Sequence, residues 1–202
     1  MGREVVCSGI FNGSSSEGKA QLETDFVLWR GNERAKVPFA SLASVDVRDG
    51  WLHLKGSEGT LELHLESPEA ERWAQAILHP KTIVDKMGLK AEMRVSLLGI
   101  DDPDFLRLMT SVGSDQSPRK RKDSDAIVIR VESARDLQKT AGLESYIKRH
   151  GMIWVVSPKG LKDFNESDVY AHMRSIGLKD VKTARFSATH TANKFVIPKE
   201  RR

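Results

Sequence analysis

Two near-continuous apolar runs, residues 126–131 (AIVIRV) and 152–156 (MIWVV), constrain this chain most. A strand that wets one face alternates apolar with polar side chains. An almost unbroken run marks a strand covered on both faces, as in the parallel sheet of an α/β layer. Elements with helical spacing surround the two runs. Asp102, with Pro103 behind it, opens a helix carrying Phe105, Leu106 and Met109. Ser133 caps a helix through Leu137 and Ala141 that Gly142 can break before it resumes at Leu143, Tyr146 and Ile147 and ends at Gly151, with His150 at its C-terminus. Asn165 and Asp168 have capping-box spacing ahead of Val169, Met173 and Ile176. Met93, Val95 and Leu97 alternate along a further strand, and residues 181–187 and 192–197 form a terminal strand pair joined by a turn containing His190. Residues 113–124 are polar and basic and read as a mobile loop.

The first half has another period. Residues 4–66 alternate as short strands separated by turns, notably at Gly31-Asn32 and Asp49-Gly50. Residues 12–18 (NGSSSEG) read as a polar loop. Leu52 and Leu54 share one strand face, as do Leu61, Leu63 and Leu65. From Ser67, read as a cap with Pro68 in the first helical position, the spacing turns helical through Ala70, Trp73, Ala74, Ile77 and Leu78, and Pro80 stops it. The fold class is therefore α+β in two domains, over residues 1–80 and 81–202.

Charge and cysteine content narrow the function classes. Residues 1–80 hold 8 Lys/Arg against 12 Asp/Glu, and residues 81–202 hold 24 against 16. Most of the second excess comes from Arg119, Lys120, Arg121 and Lys122 and from the last four residues, a loop and a tail rather than a folded face. No apolar run approaches the roughly 20 residues of a membrane span, and the N-terminal segment has no secretory h-region. Cys7 is the single cysteine; no internal disulfide forms, a cytoplasmic setting fits, and its alternating apolar neighbours make it a small buried hydrophobe.

Strands followed by one helix with an inward Trp73, with residues 67–78 as its most specific piece, resemble a pleckstrin-homology-like (GRAM-type) domain, a small antiparallel barrel capped by a C-terminal helix. In lipid-binding members of that family the first loop clusters Lys and Arg. Residues 12–18 here hold no basic residue, so a phosphoinositide site is not expected. The order of elements over residues 82–198 resembles a reduced class I methyltransferase-like Rossmann domain with a terminal antiparallel strand pair. It is also similar to an uncharacterised bacterial family, through residues 86–90 (KMGLK) and the segment 153–159 (IWVVSPK). That family brings no established activity. True methyltransferases carry a glycine-rich loop after the first strand and an acidic residue after the second. Residues 97–104 (LLGIDDPD) place one glycine, three aspartates and a proline in the first position, and residues 113–124 contain no apolar run for the second strand. The turn over residues 97–104 thus reads as closed to a nucleotide-like molecule, and no cofactor is expected.

Four sets of residues remain as candidates. Ser157 and Lys159 stand where open α/β sheets bind ligands, at a strand's C-terminal end, and with Asp101 and Asp102 they form an anion- or nucleotide-binding candidate. Asp101, Asp102 and Asp104 suggest a divalent cation, but helix capping accounts for them, and the six scattered histidines lack zinc spacing; no metal is expected. Trp29 and Trp51 are candidate protein-contact anchors, against the alternative that they pack on neighbouring loops or the second domain. Arg119, Lys120, Arg121 and Lys122 offer phosphate contacts to nucleic acid, without aromatics for base stacking. No complete catalytic set appears in either half, and the leading expectation is a non-catalytic adaptor with an unidentified protein partner. The alternatives are a small-anion-binding or methyltransferase-like enzyme at the sheet edge and nucleic-acid association through the basic loop and tail.

Overall fold

The alternating first half folds as seven antiparallel strands: β1 (Arg3–Phe11), β2 (Ser14–Leu22), β3 (Phe26–Arg30), β4 (Arg34–Pro38), β5 (Leu42–Arg48), β6 (Trp51–Gly56) and β7 (Gly59–His64). They lie in the order β4-β3-β2-β1-β7-β6-β5 in one curled sheet. This computed structural model describes residues 3–202; Met1 and Gly2, the first two residues of the segment expected to lack a secretion signal, lie outside the described residues. The chain divides into two compact units, one running to Lys81 and the other starting at Thr82.

The expected loop over residues 12–18 shrinks to a two-residue turn. Asn12 (φ 49°) and Gly13 (φ 88°) reverse the chain, and Ser14 onward pairs with β1 from Phe11↔Ser14 to Arg3↔Leu22. The apolar alternation that marks a strand is missing from β2 because its middle carries small residues, and a large side chain from β3 fills the space. That side chain is Trp29, which is 1% exposed. An added Cβ at Gly9 or Gly18 would stand 2.7 Å from its ring, and one at Gly31 2.6 Å. Trp29 is thus a core residue roofed by glycines, which overturns its reading as a contact anchor. Leu52, Leu54, Leu61, Leu63 and Leu65 are buried as their alternation predicts.

Helix α1 (Ser67–Leu78) packs on β5 and β6 and buries Ala70, Trp73, Ala74 and Ile77. Trp73 Nε1 donates to Glu69 Oε1 at 2.8 Å. Ser67 is the first helical residue rather than the cap; Glu66 holds the cap position without a side-chain bond. Leu78 falls off the stripe and is 51% exposed. β4 and β5 end the sheet without pairing with each other, so it is a half-barrel rather than a closed one.

The second unit begins with α2 (Ile83–Met87), capped by a Thr82–Asp85 box and ended by Gly88. Its sheet contains β8 (Arg94–Leu98), β9 (Asp115–Ser117), β10 (Ser124–Arg130), β11 (Ile147–Pro158), β12 (Lys179–Arg185) and β13 (His190–Val196), in the order β12-β13-β11-β10-β8-β9. β9, β8, β10 and β11 run parallel; β13 and β12 complete an antiparallel edge. α3 (Pro103–Val112) and α4 (Glu166–Ser175) begin at Asp102 and at the Asn165–Asp168 capping box, as the spacing predicts. One sheet face, through Val95, Val128 and Trp154, packs with Phe105 and Met109 of α3. The other, through Ile127, Ile153 and Val155, packs with Val169 and Met173 of α4. No helix among the described residues is long and apolar enough to cross a membrane.

Three expectations fail here. The helix expected from Ser133 to Gly151 breaks at Gly142 (φ 72°, left-handed) as its glycine suggests, but its two pieces are short 3-10 turns, Asp136–Thr140 and Leu143–Tyr146, and it does not reach Gly151. β11 accordingly starts at Ile147, and His150 lies in a strand, where the pairing jumps from Ser124↔Ile147 to Ala126↔Met152. Residues 113–124 are not a free loop: β9 pairs along β8, and Arg121 binds Asp115 (Oδ1, 2.8 Å; carbonyl O, 2.7 Å). β9 escaped notice because an edge strand of three polar residues has no apolar pattern. His190 is the first residue of β13 rather than part of the preceding turn.

Candidate switch-point cleft

β8 leads through α3 to β9 on one side, whereas β10 leads to β11 on the other. The chain therefore changes direction between the C-terminal ends of β8 and β10, where open α/β sheets form their ligand crevice. Gly99, at φ 66°, turns the backbone there, and Arg130 ends β10 opposite it. The Arg130 guanidinium donates to Asp101 and to Glu132, which together raise its pKa, Glu132 contributing most. Glu132 Oε1 also meets His190 Nε2 at 3.1 Å, and His190 Nδ1 meets Thr189 Oγ1 at 2.9 Å.

A cavity of about 320 Å³ opens on this network, with Ile100, Asp101, Asp102, Phe186 and His190 among its walls. The turn over residues 97–104 forms one wall of this cavity. It also closes the N-terminus of α3: Asp102 Oδ1 accepts the Phe105 N–H at 2.9 Å and occupies the place an anion takes at such an end. Arg130 also borders a second cavity, of about 270 Å³, with Leu98, Lys120, Ile129, Lys139 and Leu143.

The expected quartet of Ser157, Lys159, Asp101 and Asp102 is not assembled. Ser157 is fully buried, and its Oγ has no hydrogen-bond partner among the described residues. Lys159 Nζ donates to the Ser187 carbonyl at 2.8 Å and lines a separate cavity with Asn165 and Thr191. Its pKa is lowered by burial and by the charge of Arg185. The three aspartates also part company: Asp101 goes to Arg130, Asp102 to the helix cap and Asp104 to Arg107. Among the described residues no cluster of three His, Cys, Asp or Glu forms a metal site.

The remaining candidates divide. Trp51 is half-buried and stacks on the exposed His64, ring centroids 4.9 Å apart. In the basic run, Arg121 is held by Asp115 and Lys122 Nζ donates to the Ser145 carbonyl at 2.8 Å; Arg119, Lys120 and Lys122 are all exposed. Sequence reasoning missed Arg130, Glu132 and His190. The available signal was an arginine and a glutamate flanking Val131 at the end of an apolar strand, where a purely structural strand has no need of charge.

No family model matches this chain. No curated protein matches it either. Among solved structures it is similar to a TehB-like SAM-dependent methyltransferase of Corynebacterium glutamicum, at 12% identity over 65% of this chain and 97% of that one, TM-score 0.43. It is similar to a SAM-dependent O-methyltransferase of Thermotoga maritima, at 10% identity over 96% of this chain and 93% of that one, TM-score 0.41. The N-terminal PH domain of human ARAP2 protein is similar at 12% identity over 50% of this chain and 90% of that one, TM-score 0.34. At these identities and TM-scores the similarities carry nothing over to this chain.

Proposed function

We propose that this protein is a non-catalytic binding protein whose Rossmann-like unit does not use a nucleotide cofactor and whose partner is another protein. The observation that carries the reading is the Asp102 carboxylate on the Phe105 amide, 2.9 Å away. A cofactor phosphate or carboxylate seated at α3 would have to displace a negative group already satisfied there. The neighbouring chemistry is spoken for as well: Arg130 is matched by Asp101 and Glu132, and His190 by Glu132 and Thr189. For the protein contact, the half-buried Trp51 on His64 supplies an aromatic anchor of the kind that dominates interfaces.

Calorimetry with S-adenosylmethionine, NAD and ATP tests the first part. The expected result is no heat of binding; micromolar affinity for any of them overturns it. Affinity capture from the source cells, with wild type and Trp51→Ala in parallel, tests the second. A protein retained by wild type and lost by the variant supports the contact, and identical captures refute it.

A further inference from the structure

We infer that the cavity of about 270 Å³ lined by Leu98, Ile129, Leu143, Lys120 and Lys139 binds a small anion with a short apolar body, such as an aryl or branched-alkyl carboxylate. The site stands apart from the protein-contact reading, and either can fail alone. Asp102 is not among its lining residues, so the argument against a cofactor at α3 leaves it untouched.

The first ground is the composition of the walls. Leu98, Ile129 and Leu143 are apolar, Gly99 brings bare backbone, and the charged lining groups are Lys120, Arg130 and Lys139; no carboxylate lines the cavity. An apolar pocket with a few polar groups in its lining is the usual form of a small-ligand site. The volume lies just below the usual range of about 300–1,000 Å³, which favours a compact ligand.

The second ground is the state of those charges. Arg130 is matched by Asp101 and Glu132, and Lys139 Nζ by Asp136 at 2.6 Å. Lys120 pairs with no carboxylate among the described residues. It lies instead over the Tyr146 ring at 4.7 Å, and Lys122 lies over the same ring at 4.4 Å. Two ammonium groups drawn to one ring repel each other, and the face of a tyrosine holds an exposed cation only weakly. An anion beside Lys120 relieves that repulsion with a charge-assisted hydrogen bond.

The third ground is the backbone. Arg121 fixes the strap carrying Lys120 to the sheet, through Asp115 and through its own N–H to Ser96 Oγ at 3.3 Å. Lys120 is thus presented on anchored chain, and less ordering remains to oppose binding.

The probes are phenylacetate and 4-methylpentanoate, with phenylacetamide and 4-methylpentanamide as neutral counterparts, followed by backbone amide shifts of the full chain. For so few atoms a dissociation constant on the order of 1 mM is expected. Shifts should gather at Leu98, Gly99, Ile129 and Leu143. The amides and the Lys120→Met variant should bind about tenfold more weakly, the loss of one charge-assisted contact. Lys120→Arg should restore binding. Thermal melting without ligand controls for folding of both variants. The inference is overturned if acid and amide bind alike, if Lys120→Met binds as wild type does, if the shifts fall elsewhere, or if neither acid binds at 10 mM, roughly ten times the expected constant.

Discussion

Gly18 lies so close beneath the indole of Trp29 that a Cβ at this position would stand 2.7 Å from the ring, and 2.6 Å from the Arg30 carbonyl oxygen. Neither neighbour is the free end of a flexible side chain. Gly18→Ala is therefore expected to force the Trp29 ring and the β2–β3 pairing apart, at a cost of about 1–3 kcal/mol. Urea unfolding reads this as a lower midpoint. An unchanged midpoint would mean that Trp29 does not pack where described.

The same contact explains what the sequence concealed. Strands whose inner positions are leucine, such as β6 and β7, are legible because each strand carries its own apolar alternation. β2 carries glycine, serine and alanine at positions where Trp29 supplies the bulk, so its signal resides in another strand. β9 is a comparable case: it is held by pairing with β8 and shows polar residues throughout. Helix starts were legible at Asp102 and Asn165 because a cap is a local contract between residues three apart.

Asp102→Ala is expected to lower stability by about 1 kcal/mol, the usual cost of losing an N-cap. Asp102→Asn, whose side-chain oxygen still accepts the Phe105 N–H, should lose much less. Equal melting temperatures for Asp102→Ala and wild type would refute the capping role.

Asp125 gives a pH dependence with a defined sign. Burial pulls its pKa up, but Lys148 Nζ at 2.7 Å and the Arg94 amide at 2.8 Å outweigh that and hold the carboxyl below its ordinary value. The folded state thus binds this proton less readily than the unfolded state. Its contribution is complete above the unfolded carboxylate pKa and is lost as the pH falls through the folded one. Melting temperature measured from neutral into acid should fall less steeply in Asp125→Asn than in wild type. Parallel curves would remove Asp125 from the account.

Cys7 lies in β1, 8% exposed, with its thiol pKa pushed up to about 11 by burial and by the charge of Glu17. A thiol reagent at pH 8 should label the folded chain at least about a hundredfold more slowly than the chain in urea. Equal rates would place the thiol in the open.

At the cleft, the turn over residues 97–104 is acidic and capped, as its sequence suggests, but it forms only part of the cavity wall. The cleft is bounded as much by Arg130, Phe186 and His190, which lie up to 91 positions from Gly99 in the chain, and no local pattern brings them together. For Ser157 the place at the end of β11 was right, but the side chain points into the covered face rather than into the crevice.

The two rims of the second sheet have a consequence for how this chain behaves when crowded. One rim is β9, only three residues long. The other is β12, where the pairing slips between Asp180 and Lys182 and Lys179, Lys182 and Arg185 bring positive charge. A neighbouring molecule seeking to extend the sheet meets a stub on one side and a kinked, charged border on the other. Fibril growth by strand addition therefore finds no template at either rim.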